Sequence, residues 1–235
     1  MAYISGSITE ESKIIVLDSS HNKIVSKDFT PDSTGYTKLL LHFDESVLVD
    51  SCATPKTLTL NGSIARSATQ NKFGGYSGSF NGSNQYISIP DSEDWNFASG
   101  DFTVDFWVNF SNITGTKHFC GQYVSPTWQS QWSIGRTSDK LFIMSLTGGT
   151  YMCNYATTNT WTPTVGVWYH LSFVRNASNV YIFINGISQP LTINNAVGTN
   201  SFVNVPGPLK IGLQDDTNYL IGYMDEFRIC SCLSW

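Results

Sequence analysis

The stretch "FTVDFWVNF", residues 102–110, repeats with a period of two. Phe102, Val104, Phe106, Val108 and Phe110 fall on one face of a strand, and Thr103, Asp105, Trp107 and Asn109 on the other. A strand with one fully apolar face needs a second sheet to cover it, so the pattern predicts an antiparallel sandwich. Turn signals repeat along the chain. Asn185-Gly186 separates two apolar runs, the strongest short-range hairpin signal. "RNASNV" (175–180), "RTSDK" (136–140) and "TGGT" (147–150) each join two further runs. The middle and C-terminal parts therefore read as consecutive hairpins. No stretch reads as a helix, and residues 90–100, "PDSEDWNFASG", have room for one short turn.

Composition narrows the function classes. Hydrophobic residues make up 41% of the 235 and charged residues 13%, which argues against a disordered chain. The net charge is −5, and the 13 Lys and Arg form no basic run, which argues against nucleic-acid binding. No apolar run is long enough to span a membrane. The opening "MAYISGSITEESKIIVLD" lacks a basic start followed by an apolar stretch, so no secretory signal is visible. The five cysteines (Cys52, Cys120, Cys153, Cys230, Cys232) are odd in number and irregular in spacing, and are expected as buried or half-buried free thiols.

Residues 1–36 differ from the rest. "YISGSIT", "KIIVLD" and "KIVSKDF" are three short strand candidates, too small to build a core of their own. They resemble the opening of a β-module found at the front of phage tail and head-associated proteins. This segment is expected to add strands to the main domain or to a neighbouring chain, as an assembly arm. Residues 37–235 form the sandwich.

From residue 38 the order of motifs is "LLLHFDES", "NGSIARSATQNKFGGYSGSFNGSNQYISIP", "DWNFASGDFTVDFWVNF", "VWYHLSFVR", "VYIFINGI", "LKIGL" and "GYMDEFRI". This set resembles the laminin-G-like branch of the concanavalin A-like lectin and glucanase superfamily, over roughly residues 38–230. The resemblance implies an all-β jelly roll of two antiparallel sheets, with the first and last strands of the domain side by side. It also implies a structural calcium held by Asp225 in the closing strand, with Asp44 and the loop around Asn81 as further ligands. The alternative is that Asp44 accepts backbone N–H bonds in a turn and Asp225 pairs with Arg228 or Lys210.

Catalytic chemistry is not visible. Glucanases of this superfamily carry two carboxylates at alternating strand positions. Here Asp101 and Asp105 stand four apart, and Asp91, Glu93 and Asp94 lie in a turn-rich loop. All read as a solvated polar face or loop. The histidines (His21, His42, His118, His170) have no metal or nucleophile spacing, and His42 and His170 read as packed or hydrogen-bonded strand residues. Sugar binding needs an aromatic platform with polar neighbours. Trp128 with Gln129 and Gln131, and Tyr155 with Asn159 and Trp161, are the candidate glycan-binding rim. Trp132 and Trp168 read as core, and Trp107 lies on the outer face of its strand.

These readings predict a non-enzymatic structural or adhesion module on the surface of a phage or virus particle, as head decoration or in a tail or fibre. Its partners would be other virion structural proteins and a host-surface glycan, in an oligomer or larger assembly. The alternatives are a stand-alone carbohydrate-binding lectin and, behind it, a glycan-cleaving enzyme.

Overall fold

Alternating strands joined by two-residue turns give what the pattern requires: two eight-stranded antiparallel sheets packed face to face. The computed structural model describes residues 35–124, 130–214 and 216–231, with the strand backbones at 12–17 and 23–29. The first two strands, β1 (Ser12–Leu17) and β2 (Lys23–Phe29), pair with each other and join neither large sheet. Among the described residues, this segment adds no strand to either large sheet. The candidate strand at 3–9 lies outside the described residues.

One sheet runs in the order β15 (Ile187–Ser188), β14 (Asn179–Ile184), β13 (Trp168–Asn176), β8 (Phe102–Phe110), β18 (Ile221–Cys230), β6 (Ser77–Asn81) and β5 (Ala65–Ser67), with β3 (Thr37–Leu41) also pairing β18. The other runs β16 (Leu191–Asn195), β12 (Thr150–Thr157), β11 (Lys140–Thr147), β10 (Gln131–Thr137), β9 (Lys117–Tyr123), β17 (Leu209–Ile211), β7 (Tyr86–Ile89) and β4 (Thr59–Asn61). A single 3₁₀ turn, Glu93–Trp95, falls within residues 90–100 and is capped by Ser92, whose Oγ accepts from the Asp94 N–H.

The core is the interior of this sandwich. Phe102, Val104, Phe106, Val108 and Phe110 are all fully buried, facing Phe119, Trp132, Ile134 and Ile143 of the other sheet. Phe106 stacks on Phe227 and packs tilted against Phe119. The four turns marked in the sequence close hairpins that pair Thr137 with Lys140, Thr147 with Thr150, Asn176 with Asn179 and Ile184 with Ile187. Asn185 and Gly186 both take positive φ (50° and 77°), the geometry that makes Asn-Gly the preferred two-residue hairpin turn.

The closing strand lies between β3 and β8. Leu41 pairs with Phe227 and Leu39 with Ile229, so the first and last strands of the sandwich are neighbours, as the resemblance implies. Strand β18 carries a bulge. Asp225 sits opposite Trp107 and Arg228 opposite Asp105, three steps on one strand against two on the other. Glu226 absorbs the extra residue at φ 52°. Without it, Met224 and Phe227 would lie on opposite faces. With it, both are fully buried in the core.

Of the cysteines, Cys52, Cys120 and Cys153 are buried free thiols. Cys230 is disulfide-bonded, which corrects the free-thiol expectation at that position.

Candidate functional site

The outward residues of β8, β13 and β18 are where chemistry gathers. Register places Trp107 beside His170 on one side and Asp225 on the other, and Asp105 beside Ser172 and Arg228. Next to them, Trp107, Trp168, His170 and Asn185 line an open depression of about 400 Å³. Trp107, Trp168 and His170 are half-buried, and Asn185 is exposed. The Asn185 side-chain oxygen accepts from the His170 backbone N–H at 2.8 Å, which ties the turn to the neighbouring strand.

An ion pair lies next to the depression. Arg228 donates two N–H bonds to Asp105 Oδ2, at 3.1 and 2.9 Å, and Asp105 Oδ1 lies 3.6 Å from His170 Nε2. Burial pushes the Asp105 carboxyl up, but Arg228 and His170 more than reverse this and hold it below the usual carboxylate range. Asp105 is thus a buried, paired carboxylate, not the solvated one expected from its strand face.

The loop at residues 70–76 crosses the same face and is held there by aspartates. Asp225 Oδ2 accepts the backbone N–H groups of Lys72 (2.8 Å) and Phe73 (3.1 Å), and Oδ1 accepts from Glu226 (2.9 Å). Asp44 Oδ1 accepts from the Tyr76 N–H, and a Cβ at Gly74 (φ 57°) would overlap the Asp44 carboxylate. So clamped, the loop lays the Lys72 ammonium 4.3 Å from the centre of the Trp107 ring and sets Phe73 edge-on to it at 5.7 Å. Asp225 is fully buried, and burial pushes its carboxyl up to about 6 against its three N–H bonds. On the rim, His42 Nδ1 sits 2.8 Å from both Glu226 oxygens, which raises the imidazole above its ordinary value.

This geometry bears on the expected calcium. Calcium takes six to eight oxygens. Both Asp225 oxygens already face N–H donors, which repel a cation. Asn81 is far from them: it pairs with Ile221, four residues and about 13 Å along β18 from Asp225. Its Oδ1 accepts from the N–H groups of Ser83, Asn84 and Gln85, closing its own turn. Glu45 has one buried oxygen, Oε2, without a partner, and one such atom makes no cage. Among the described residues no three His, Cys, Asp or Glu gather as a metal site. The donor set therefore does not fit calcium, and Asp44 is the turn acceptor of the alternative reading. The suggested partners of Asp225 are also corrected: Arg228 pairs with Asp105, and Lys210 with Asp216.

The predicted glycan rim is not assembled by the described residues. Trp128 and Gln129 lie outside them. Gln131 is buried, its Oε1 accepting from Gln214 Nε2 at 2.6 Å. Tyr155 is buried on the core side, its hydroxyl accepting from the Val197 N–H. Trp161 is half-buried and packs edge-on to Phe110 and Tyr169. Trp132 is core, as expected, but Trp168 is not. It points outward into the depression, because β13 places it in register with outward Asn109. The signal that would have found this site is the outer half of the alternation: Trp107 in "DFWVN" and Trp168 and His170 in "WYHLS".

A family model described as the concanavalin A-like lectin/glucanases superfamily, of laminin G type, matches residues 81–233. No curated protein matches the chain in sequence. Among solved structures, the chain is similar to domain 4 of AbnA, a GH43 extracellular arabinanase from Geobacillus stearothermophilus, in complex with arabinotriose. That likeness has a TM-score of 0.62 and 23% identity over 83% of this chain and 91% of the other. It is also similar to the binding domain of Paraclostridial Mosquitocidal Protein 1 (TM-score 0.65, 17% identity, 85% of this chain and 50% of the other). A third is a botulinum neurotoxin type C structure, described as depending on interaction with two ganglioside molecules to enter cells (TM-score 0.63, 14% identity, 85% of this chain and 49% of the other). The match spans about half the length of these two toxin chains. Two packed antiparallel sheets, adjacent first and last strands, and a family match over most of the sandwich lead to one conclusion: the chain belongs to the concanavalin A-like lectin/glucanases superfamily, in its laminin G-type branch.

Proposed function

We propose that the chain is a non-catalytic glycan-binding module that holds its saccharide in the depression between Trp107 and Trp168. The observation that carries this reading is the composition of the depression: two half-buried indoles, an imidazole and a turn amide, with no carboxylate among its lining residues. A sugar ring offers an apolar face to an indole and hydroxyls to polar neighbours. Among the described residues, the indole N–H groups of Trp107 and Trp168 and the Asn185 amide nitrogen donate to no protein acceptor, so three donors are available to sugar hydroxyls. Glycoside hydrolysis needs two carboxyls flanking the bond. The nearby Asp105 is committed to Arg228, which favours binding over cleavage. Two of the similar structures are described with arabinotriose and with gangliosides, which is consistent with a saccharide ligand.

A glycan array probed with wild type, Trp107→Ala and Trp168→Ala tests this. The expected result is a wild-type signal lost in both variants. A wild-type signal untouched by either substitution, but lost in Trp161→Ala, would move the site to the other loop cluster.

A second reading concerns context and rests on the β1–β2 hairpin. A lone two-stranded hairpin is marginal in water, and this one pairs with neither large sheet. It favours docking on another chain, as in an adhesion module on a phage or virus particle. Mass measurement of the full chain against a chain lacking residues 1–34 tests it. A monomer in both cases at high concentration argues for the stand-alone lectin.

A further inference from the structure

We infer that the Trp107 depression takes an anionic saccharide, one bearing a carboxylate or sulfate, and that Lys72 is the residue that selects for the charge. The inference rests on the glycan-binding reading and adds the class of sugar.

Most of the charged side chains on this face are engaged within the protein. The Arg228 guanidinium and the Asp105 carboxylate neutralise each other through two N–H bonds. Asp225 is fully buried beneath the 70–76 loop, and backbone N–H groups occupy both of its oxygens. Glu226 is turned to His42. That leaves Lys72, which is exposed and has no carboxylate within ion-pair reach among the described residues. Asp44 is turned to the Tyr76 N–H at the other end of the loop, and the charge that lies against Trp107 of the depression is the Lys72 ammonium.

Lys72 is also held in place, unlike a typical surface lysine. Its own backbone N–H is bonded to Asp225 Oδ2. Its ammonium rests 4.3 Å from the Trp107 ring centre and 5.6 Å from that of Phe73, a cation–π arrangement strongest on indole. The ammonium covers one face of the Trp107 indole, so the sugar ring stacks on the side turned to the depression, and an anionic substituent that reaches past the edge of the indole meets a cation already in place. A charge-assisted hydrogen bond there is roughly twice as strong as a neutral one. A neutral sugar would gain only the stacking and the hydroxyl bonds.

The test uses the full chain on an array that prints neutral oligosaccharides beside their sialylated, uronate-bearing and sulfated counterparts, followed by titration calorimetry on the best ligand. Lys72→Met keeps the apolar stem and removes the charge. Lys140→Met, on the other sheet, controls for net charge. The expected result is a signal concentrated on anionic members, an affinity that falls with added salt, a loss of tenfold or more in Lys72→Met, and no change in Lys140→Met. Preference for carboxylate or for sulfate members identifies the anion. Equal binding of neutral and anionic members, abolished by Trp107→Ala but unchanged in Lys72→Met, would overturn the inference and leave the glycan-binding reading standing. Wild-type silence across the array, with the protein shown folded by its thermal transition, would overturn both.

Discussion

Replacing Arg228 by Met isolates the ion pair at the centre of the candidate site. Asp105 and Arg228 lie 2.9 Å apart, with side chains only 10% and 15% exposed. At that separation the gross attraction is about 6 kcal/mol for an effective dielectric of about 20. Most of it offsets the cost of desolvating both groups, so the net worth of the pair is far smaller. Removing the arginine alone is different, because Asp105 stays in place and keeps its desolvation cost. Breaking such a pair costs roughly 3–5 kcal/mol, and the residual exposure here puts the expectation at the low end, about 3 kcal/mol. In a chain of this size that corresponds to a fall in melting temperature of about 6–12 °C.

The sign of the pH dependence follows from Asp105. In the wild type its carboxyl titrates below the ordinary value, so its contribution is present above about pH 4 and is lost as pH falls through the folded value. In Arg228→Met, burial is opposed only by His170 and lifts the carboxyl above the ordinary range. The deficit against wild type is therefore largest at pH 7 and shrinks toward pH 4. Urea titrations at several pH values measure it, with the double variant Asp105→Leu, Arg228→Met as reference. The double variant should recover most of the loss, since a well-packed apolar pair replaces a buried ion pair at little cost. A single-variant deficit below about 1 kcal/mol at pH 7, or one independent of pH, would refute the reasoning.

Three other outcomes are expected. Gly74→Ala combines a left-handed backbone with overlap on Asp44, and should lower stability by at least about 1–2 kcal/mol while disturbing the Lys72 and Phe73 contacts to Trp107, read as a change in tryptophan emission. EDTA should leave the melting temperature unchanged, because the Asp225 oxygens are already occupied by N–H donors; a fall of several degrees would place a cation at Asp44 and Asp225 after all. Cys120 and Cys153 should resist a thiol reagent at pH 8 until the protein unfolds, since both are fully buried and burial pushes the Cys153 thiol up to about 12.

Much of the architecture was legible because it is written in local periodicity. Alternation in "FTVDFWVNF" placed five core side chains correctly, and Asn185-Gly186 marked a hairpin whose two positive φ angles the pair is suited to adopt. The pairing of β3 with β18 came from the family resemblance, because no local pattern reports contact between residues 39–41 and 227–229. The bulge in β18 was missed although its trace is in the sequence. Met224 and Phe227 are apolar at opposite parity, so strict alternation cannot bury both.

The site was less legible, for a related reason. Sequence parity says that Trp107, Trp168 and His170 face outward or inward together only once the register between β8 and β13 is known, and register is a tertiary fact. A tryptophan inside a strand pattern therefore defaulted to core, which was right for Trp132 and wrong for Trp168. The loop tryptophans stood out instead because polar neighbours advertise a binding rim, yet Gln131 and Tyr155 are buried and bonded within the protein.

Costly features gather just past the point where the pairing of β3 with β18 stops, at Leu41 opposite Phe227. Burying Asp225 at about 6 costs about 3 kcal/mol at neutral pH relative to an ordinary carboxylate. Phe43 and Glu226 add left-handed backbone at non-glycine positions (φ 68° and 52°). Pure stability would favour removing such features, and chains tend to keep local rule-breaking where function requires it. All three lie just past that pairing, and Asp225 with Asp44 secures the loop that presses Lys72 and Phe73 onto Trp107. A clamp that served only to close the sandwich edge would have no need to deliver an ammonium to an indole. Its cost is accounted for if the loop it holds forms part of the binding face.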